Sequence, residues 1–541
     1  MMIVYIVLCR RSASVLMRIS VCAGKIAARS ASIQELGWLS LRLMSWDHGY
    51  FSSASYTSGV YRELAPAWLD FAALLKGHQP PRAHEGEAFT YLELGSGMGL
   101  GLCLLAVAYP EGRFTGIDFQ PDHIVHSRRL AQQLGLGNIN FQEADFLSLA
   151  ADPEPLAAAH QYVVAHGIAT WITAPIQQAL LQLAAAALNP GGIFYCSYNT
   201  FPGWLGASAF QHLGELTRQR QAEASAAQAF QQAAASLTSL LGSEESPSAL
   251  ALAQPALRRR LAQIPNQNSA YLLQEYANEG WQPLYVAELH QRCAAHKLRF
   301  HASATLPENF LELLPANVRP GVLAATDPAL RQSLQDLAIN QSFRRDLFLR
   351  GVAASTDSEL RQRLSQIMLR LQEAPTTDSY RFETSFGQVS GVAERYQQLE
   401  SCLAHGPRSF GQLLEDTQLQ LAELAKLLAL LLHAGRIGFD RCACADFERA
   451  RQVNEQLLEL IRSGRSYAHL VAPASGGGVN FSLVEALLLE GQRRQLGGQE
   501  LEQHLLESLK AMGRSIKGEA APQLAAFAER QPRLQALGVL P

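Results

Sequence analysis

The sequence predicts an α/β protein in which a parallel sheet is covered by helices on both faces. Between residues 89 and 200, short apolar runs alternate with stretches whose apolar residues recur at helical spacing. The short runs are nearly continuous in apolar residues, which is typical of strands buried on both faces. A glycine-rich turn joins the first run to the first helical stretch. Strands and helices that alternate in this way form parallel sheets.

The predicted elements follow one another in a regular order. Five strands are expected at residues 89–95, 113–119, 139–146, 161–167 and 191–200. Helices are expected between them at residues 100–109, 121–134 and 175–188. Beyond residue 205 no strand is expected until a linker near residue 372, because Ala, Gln, Leu and Arg dominate and the apolar spacing is helical.

The chain has 541 residues, too many for one hydrophobic core, so several domains are expected. Composition indicates connecting loops at residues 242–255, 372–386 and 471–480, the last of them flexible. The organised sequence begins at Met44, which we expect to be the native start. The predicted divisions are an N-terminal extension at 1–43, the sheet domain at 44–204, a helical domain at 205–371, and a C-terminal winged-helix-like and helical domain at 386–541.

The winged-helix-like prediction comes from a helix, a turn, a second helix and a trailing strand within residues 396–440. The second helix offers only Lys426, His433 and Arg436 as basic groups, too few for the phosphate contacts of a groove-reading helix. Its centre, Leu427–Leu432, is apolar on all sides and should be buried. We therefore expect this unit to serve packing or dimerisation; the sequence permits a homodimer without showing one.

Composition excludes several classes of protein. A net charge of −3 lacks the basic field of a nucleic-acid-binding protein, and 48% apolar residues are typical of a folded globular chain. The apolar run at residues 2–9 is too short to cross a bilayer, and its arginines follow rather than precede it. The eight cysteines form no CxxC pair and no zinc-ligand pattern. We expect a cytoplasmic protein without a metal, a membrane or a nucleic acid as partner.

The glycine-rich turn reads ELGSGMGLG at residues 93–101. A dinucleotide-binding loop requires Gly-x-Gly-x-x-Gly, but the sixth position from Gly95 is Leu100. A carboxylate, Glu93, lies two positions before the first glycine. It would repel a pyrophosphate and attract an ammonium group. The loop therefore favours a positively charged ligand over a dinucleotide.

Two further carboxylates end the next two strands. Asp118 ends the second strand, where a carboxylate can accept both ribose hydroxyls of a nucleoside. Asp145 ends the third and is followed by Phe146. Acidic residues at such positions also serve as helix caps. Their occurrence at three consecutive strand ends favours a ligand site at this edge of the sheet.

The loop with its preceding glutamate resembles motif I of class I methyltransferases, whose sheet is Rossmann-like. Segments SYNTFPGW (197–204), QEYANEGWQPLY (274–285) and NQSFRRDLFLRG (340–351) resemble bacterial methyltransferases with an attached regulatory domain, among them protein-lysine methyltransferases of outer-membrane proteins. Gln161 departs from the acidic residue expected at the start of the fourth strand. The resemblance implies S-adenosylmethionine as cofactor and the second division as the regulatory or substrate domain. It implies cofactor-binding roles for Glu93, Gly95, Ser96, Gly97, Gly99, Tyr61, Asp118, Phe119, Asp145, Phe146 and His166.

Methyl transfer is a direct displacement at a sulfonium methyl, so the site must align its reactants. A lysine acceptor must also be neutral, although its free pKa is about 10.4. The candidates for this task above the fourth and fifth strands are His166, Trp171, Tyr198 and Asn199. His166 is either a base or a packed imidazole, and Asn199 is expected near the methionyl end. The candidates for a lid from the N-terminal segment are Tyr56, Tyr61 and Arg62.

The sequence therefore predicts an S-adenosylmethionine-dependent methyltransferase, with a protein lysine as the acceptor by similarity. Two alternatives stay open at this stage. The acceptor is otherwise a small molecule, or the chain is a non-catalytic scaffold that keeps the fold to bind partners. An enzyme that uses NAD or a nucleotide sugar is disfavoured by the glycine spacing.

Overall fold

The computed structural model describes residues 49–51, 59–221, 225–352, 354–373, 379–516 and 518–541. The predicted extension at 1–43, the expected start at Met44 and the lid candidate Tyr56 lie outside these residues. Within the part of the chain that is described, no helix is both long enough and apolar enough to cross a membrane.

The centre of the fold is a mixed sheet of seven strands in the order β3-β2-β1-β4-β5-β7-β6. The first five strands run parallel, while β7 pairs antiparallel with both β5 and β6. The five predicted strands are confirmed. The strands are β1 (Phe89–Leu94), β2 (Gly112–Asp118), β3 (Ile139–Glu143), β4 (His160–Ala165), β5 (Leu188–Asn199), β6 (Leu298–Ser303) and β7 (Phe343–Arg350).

The strands β6 and β7 correct the expectation that no strand occurs between residue 205 and the linker near residue 372. The run Arg344–Asp346 places three charged residues inside β7, which removes the apolar pattern of a buried strand. Arg344 and Asp346 are nevertheless buried, because the guanidinium Nε lies 3.0 Å from the carboxylate. Charges paired in this way are tolerated in a core. The five-strand parallel sheet is therefore extended by an antiparallel pair.

Helices cover both faces of this sheet, as predicted. Neighbouring residues Tyr91 and Leu92 on β1 point to opposite faces, and each is fully buried in a different hydrophobic core. Helices α1 to α3 pack in the core of Tyr91, and α5 packs in the core of Leu92. These helices are α1 (Pro66–Leu74), α2 (Leu100–Ala108), α3 (Pro121–Gln133), α4 (Phe146–Ala151) and α5 (Ala174–Ala187).

The region after β5 is mainly helical, apart from β6 and β7. A third core, built on Trp204, Phe210, Phe230 and Tyr276, holds the first of these helices together. The predicted loop at 242–255 contains the short helix α8. The helices are α6 (Leu205–Arg220), α7 (Ala226–Leu240), α8 (Ala249–Ala253), α9 (Pro255–Gln263), α10 (Ser269–Tyr276), α11 (Val286–Ala295), α12 (Arg319–Leu323), α13 (Pro328–Ile339) and α14 (Asp357–Ser365).

The C-terminal region begins with a small sheet in the order β11-β8-β12. Its elements are β8 (Met368–Leu371), β9 (Arg381–Thr384), β10 (Gly387–Ser390), α15 (Ala393–Ala404), β11 (Arg408–Ser409), α16 (Phe410–Thr417), α17 (Leu421–Ala434) and β12 (Ile437–Phe439). The run Leu427–Leu432 on α17 is buried, as predicted. It belongs to the same core as Tyr91, so this region packs against the large sheet.

The last part of the chain differs from the sequence prediction at two places. The expected flexible loop at 471–480 is a hairpin of two strands, and the expected single helix at 482–512 is two helices followed by a third. Burial of the hairpin residue Val471 explains why a glycine-rich segment is ordered. The elements are α18 (Phe447–Arg462), β13 (His469–Ala472), β14 (Gly477–Asn480), α19 (Leu483–Arg493), α20 (Gly498–Ala511) and α21 (Ala521–Ala536).

Candidate active site

A cleft lies at the carboxyl ends of the parallel strands, where open α/β sheets bind their ligands. Every residue that the sequence predicts as a cofactor ligand lines it. The predicted residues in its wall are Tyr61, Glu93, Gly95, Ser96, Gly97, Gly99, Asp118, Phe119, Asp145, Phe146 and His166. Tyr50, near the start of the described chain, and Gly477 and Gly478, in its C-terminal region, also line the cleft.

The glycine-rich loop turns sharply between β1 and α2. Gly95, Gly97 and Gly99 all have left-handed backbone angles, with φ of 77°, 54° and 75°. This conformation costs glycine little and strains other residues. At Gly99, a Cβ atom would lie 2.6 Å from the Ser127 side chain and 2.8 Å from the Phe141 ring. The loop therefore needs glycine both for its turn and for its close packing.

Asp118 connects this loop to the end of β2. Its Oδ2 accepts a hydrogen bond of 2.8 Å from the backbone of Gly97, and its Oδ1 accepts one of 2.9 Å from the backbone of Gln120. The ring nitrogen Nδ1 of His123 lies 3.2 Å from Oδ1. A carboxylate oxygen can accept two hydrogen bonds, so Oδ2 keeps capacity for a ribose hydroxyl. Asp118 thus shapes the loop and faces the expected nucleoside.

Glu93 carries the electrostatic signature of the cleft. Burial, and to a smaller extent the charge of Asp118, raise the pKa of Glu93 to about 8. The carboxyl is therefore mainly neutral near pH 7 when no cation is beside it. An ammonium group bound there would restore the charged form, because an opposite charge lowers a carboxyl pKa. The residues of the cleft therefore fit a ligand with a cationic end and a nucleoside end.

Asp145 caps a helix and also lines the cleft. Its Oδ2 accepts a hydrogen bond of 3.1 Å from the backbone N–H of Ser148 and another of 3.1 Å from the Ser148 hydroxyl. Asp145 therefore caps the N-terminus of α4. It also lines the cleft beside Phe146, the first residue of that helix. A capping role and a ligand-facing position therefore coexist at this strand end.

His166 lies at the end of β4 with its imidazole enclosed. Nδ1 lies 2.9 Å from the Tyr195 hydroxyl and 3.2 Å from the Ser197 hydroxyl, while the Tyr61 ring packs 3.9 Å from the imidazole centre. Burial, assisted by the charge of Arg345, lowers the pKa of His166 to about 3. The imidazole is therefore neutral at physiological pH and takes up a proton poorly.

A second cavity adjoins the cleft and shares Tyr61, His166 and Trp171 with it. It lies between the ends of β5 and β7 and the helices of the middle region. Aromatic rings form much of its wall, together with one carboxyl and two guanidinium groups. The remaining residues that line it are Gly167, Thr170, Asn199, Trp204, Arg260, Tyr271, Glu275, Ser342, Phe343 and Arg345.

Glu275, on α10, is the carboxyl of this second cavity. The side-chain amide of Asn199 donates a hydrogen bond of 2.8 Å to its Oε1. Burial raises the pKa of Glu275, although hydrogen bonds from Asn199, Tyr271 and Trp171 and the charge of Arg260 oppose the increase. The cavity therefore holds a buried carboxyl that polar groups orient and that a proton or a cation can neutralise.

The structure brings three of the four predicted catalytic residues together and separates the fourth. His166 and Trp171 line both cavities, and Asn199 lines the second cavity rather than the methionyl end of the cleft. Tyr198 is a correction, because its side chain lies on the opposite face of β5, fully buried, and donates a hydrogen bond of 2.6 Å to Asp346. Side chains alternate along a strand, so adjacent residues cannot both face one site.

The lid candidates have separate outcomes. Tyr61 and Arg62 line the cleft, and the guanidinium of Arg62 contacts the carbonyl of His433 on α17 and the Trp68 ring.

Sequence reasoning missed Glu275 as a site residue. It also missed Arg345, although both lie in segments that carried the family resemblance.

No group of three or more His, Cys, Asp or Glu side chains suited to a metal ion occurs among the residues with a described placement.

Comparisons with known proteins agree with this geometry. Residues 85–296 match the family described as a methyltransferase domain, and residues 268–350 match the one described as a predicted methyltransferase regulatory domain. The uncharacterized protein sll1526 of Synechocystis is 30% identical over 472 residues, which cover 86% of this chain and 92% of that protein. The uncharacterized protein RP789 of Rickettsia prowazekii is 26% identical over 306 residues, which cover 56% and 52% of the two chains.

Among solved structures, PKMT2 from Rickettsia typhi in complex with AdoHcy has the same fold. The TM-score is 0.65 at 17% identity, and the match covers 90% of this chain and 99% of that one. The strand order, the glycine-rich loop with its carboxylates and the two family matches point the same way. The chain belongs to the S-adenosylmethionine-dependent methyltransferases that carry a methyltransferase regulatory domain.

Proposed function

We propose that the protein transfers a methyl group to a lysine side chain of a protein, and that this side chain enters the second cavity. The observation that carries the proposal is the position of Glu275. It is a buried carboxyl among aromatic rings, in a cavity that adjoins the cofactor cleft at Tyr61, His166 and Trp171. An elongated cation with an apolar stem suits such a cavity, because aromatic faces and a carboxylate both attract an ammonium group.

The cofactor half of the proposal assigns roles to the predicted ligands. When bound, S-adenosylmethionine supplies an electrophilic methyl group on its sulfonium. We assign Glu93 to the ammonium of its methionyl part and Asp118 to the ribose hydroxyls. Asp145 and Phe146 are assigned to the adenine. The raised pKa of Glu93 supports its assignment, because a bound ammonium would stabilise the charged form of this buried carboxyl.

Glu275 is the group that we assign to the proton of the acceptor. The amine must lose its proton before its nitrogen attacks the methyl carbon. The raised pKa of Glu275 makes this carboxylate a stronger base than an exposed one, whereas the low pKa of His166 makes the imidazole a poor one. Glu275 would hold the proton that the ammonium loses, and the neutral nitrogen would then be free to accept the methyl group, with the thioether S-adenosylhomocysteine as the leaving group.

The other walls of the cavity orient the amine and exclude water. Asn199 holds Glu275 by a hydrogen bond of 2.8 Å. Tyr61 packs on His166, with 3.9 Å between the ring centres, at the junction of the two cavities. Trp171 borders both. A preorganised junction of this kind aligns the amine with the methyl group, which is where much of the rate enhancement of a displacement arises.

The sequence resemblance to bacterial protein-lysine methyltransferases supports the choice of acceptor. We further propose that the divisions at 44–204, 205–371 and 386–541 are functional units. The division at 205–371 contributes β6 and β7 to the large sheet. The C-terminal unit is proposed to be winged-helix-like, since α15, β11, α16, α17 and β12 follow in the order of that motif.

The test is methyl transfer from radiolabelled S-adenosylmethionine into a cell lysate, followed by mass spectrometry of the labelled product. We expect label in protein, on lysine. Label confined to small molecules would replace the proposal by a small-molecule methyltransferase. Tight cofactor binding without any transfer would indicate a scaffold.

The variant Glu275→Gln examines the role of the carboxyl. We expect kcat to fall about 10²-fold or more, as for loss of a general base, while the Kd of the cofactor stays the same. Glu279→Gln is the matched control, because Glu279 is exposed and lies outside both cavities. Equal activity of the two variants would remove Glu275 from the mechanism.

A further inference from the structure

The hairpin of β13 and β14 contributes part of the cofactor cleft. Gly477 and Gly478 line the cleft beside the glycine-rich loop, which lies far earlier in the sequence. The hairpin packs on α2, the helix that this loop opens. A segment in the middle of the C-terminal unit therefore forms part of the wall of a site that is otherwise built by the first half of the chain.

The hairpin is held firmly in place. Asn454 on α18 donates a hydrogen bond of 2.9 Å to the Val471 carbonyl and accepts one of 2.8 Å from the Val471 backbone. At the turn, Gly476 has a φ of 72°, and a Cβ there would lie 2.6 Å from the Tyr109 hydroxyl. The turn is thus packed against Tyr109, the residue that follows α2.

An arginine that precedes the hairpin anchors it further. The guanidinium of Arg441 lies 3.7 Å from the centre of the Tyr109 ring and bonds to Glu85, Glu111 and the Ala108 carbonyl. Arg441 is only 1% exposed. A buried charge that lost these partners would be costly, so the C-terminal unit is bound to the end of α2 in one arrangement.

The hairpin reaches the active site along a first route, through the segment that precedes α1. A Cβ atom at Gly478 would lie 2.7 Å from Leu104 on α2 and 2.9 Å from the side chain of Val60. On the other side of this segment, a Cβ at Gly101 would lie 3.0 Å from the Gly59 carbonyl. The backbone at 59–60 is therefore packed between α2 and the hairpin. The next residue, Tyr61, packs on His166.

A second route runs through hydrogen bonds. The Tyr467 hydroxyl lies 2.7 Å from Nε2 of His126, and Nδ1 of the same ring lies 2.8 Å from the Met98 carbonyl in the glycine-rich loop. A carbonyl only accepts, so Nδ1 carries the proton, and Nε2 of the neutral ring accepts from the tyrosine. The C-terminal unit thus bonds, through one imidazole, to the loop expected to hold the methionyl group.

We propose that the hairpin, through Gly478, and Tyr467, two residues before it, together position the cofactor site. The missing side chain at Gly478 leaves room for Val60, and so for Tyr61 to pack over the cleft. Tyr467 holds the Met98 backbone in place through the hydrogen bonds of His126. Cofactor affinity therefore depends on a docked C-terminal unit, although neither residue belongs to the sequence motif that binds the cofactor.

The experiment compares Gly478→Val with Gly497→Val in the full chain. An added Cβ at Gly497, an exposed residue outside both cavities, meets no described atom within 4 Å, whereas at Gly478 it meets Leu104 and Val60. We expect Gly478→Val to raise the Kd and KM of S-adenosylmethionine about tenfold, a change readily resolved by calorimetry. The control should change the Kd less than about twofold, which is within ordinary surface effects.

Tyr467→Phe keeps the ring and removes only the hydroxyl, so it decides the proposal if Gly478→Val does not fold. We expect its Kd for S-adenosylmethionine to rise about fivefold, as for one lost hydrogen bond, while kcat at saturating cofactor stays within twofold. A lower unfolding temperature with an unchanged Kd would show a merely structural role and overturn the proposal, as would equal Kd values for the two glycine variants.

Discussion

Cofactor binding should release a proton from Glu93. The pKa of this carboxyl is about 8 in the free protein, so at pH 6.5 about 0.97 of the protein carries the proton. An ammonium bound beside it returns the group to its charged form. The α-amino group of the ligand, with a pKa of about 7.8, is itself about 0.95 protonated at that pH. Binding should therefore release about 0.9 proton at pH 6.5.

The pH dependence of affinity follows with the same sign. Since the free protein holds the proton below pH 8, the Kd for S-adenosylmethionine should fall as the pH rises from 6 toward 8, by close to tenfold per unit at the acidic end. Above pH 8 the carboxyl is charged before binding, but the ligand amine loses its proton. The affinity should then decline again, which places its maximum near pH 8.

Titration calorimetry in buffers of different ionisation enthalpy measures the number of protons released. Glu93→Gln is the test variant, since glutamine has nearly the same shape and no proton to release. We expect the wild-type protein to release about 0.9 proton and the variant close to none at pH 6.5. Equal proton release by the two proteins would refute the assignment of Glu93 to the ligand ammonium.

Three other predictions follow from the same geometry. Asp118→Ala and Gly97→Val should each abolish measurable cofactor binding in calorimetry, because one removes the anchor of the loop and the other strains a left-handed residue; tight binding by both would mean that the site lies elsewhere. Tyr198→Phe should leave KM and kcat unchanged but lower the free energy of unfolding by about 1 kcal/mol, measured with denaturant, because it removes only a bond to Asp346. Arg344→Met should lower the free energy of unfolding by about 3–5 kcal/mol, because it leaves buried carboxylates without their cationic partner. A decrease below about 1 kcal/mol would contradict the pairing.

The cofactor cleft was predictable because its parts are local in sequence. Glu93, Asp118 and Asp145 each lie at or just after the carboxyl end of a strand that apolar patterning reveals, and parallel strands bring these ends to one edge. Tyr198 and Asn199 show the limit of such reasoning. They are adjacent in sequence, yet only Asn199 faces the second cavity, because the alternation of β5 places Tyr198 on the other face.

The strand β7 was not predictable from pattern, because its charged residues imitate a surface segment. Only the tertiary structure supplies the carboxylate partners that offset the cost of burying Arg344. The pairing of β7 with β5 then places Arg345 in the second cavity. Glu275 was hidden for a related reason. It reaches the site through α10, and nothing in the local sequence shows which strand ends this helix faces.

The sequence by itself determined a site for a positively charged ligand at one edge of the sheet, through the spacing of three carboxylates and three glycines along consecutive βα units. Its resemblance to motif I of class I methyltransferases then implied the cofactor. This part depends on local backbone geometry and on the fixed direction of parallel strands. The tertiary structure alone decided the antiparallel extension of the sheet by β7 and β6, the cavity around Glu275 and the part of the cleft wall that Gly478 forms. These features arise where segments distant in the chain bury one another, so the contacts that define them have no periodicity in the sequence.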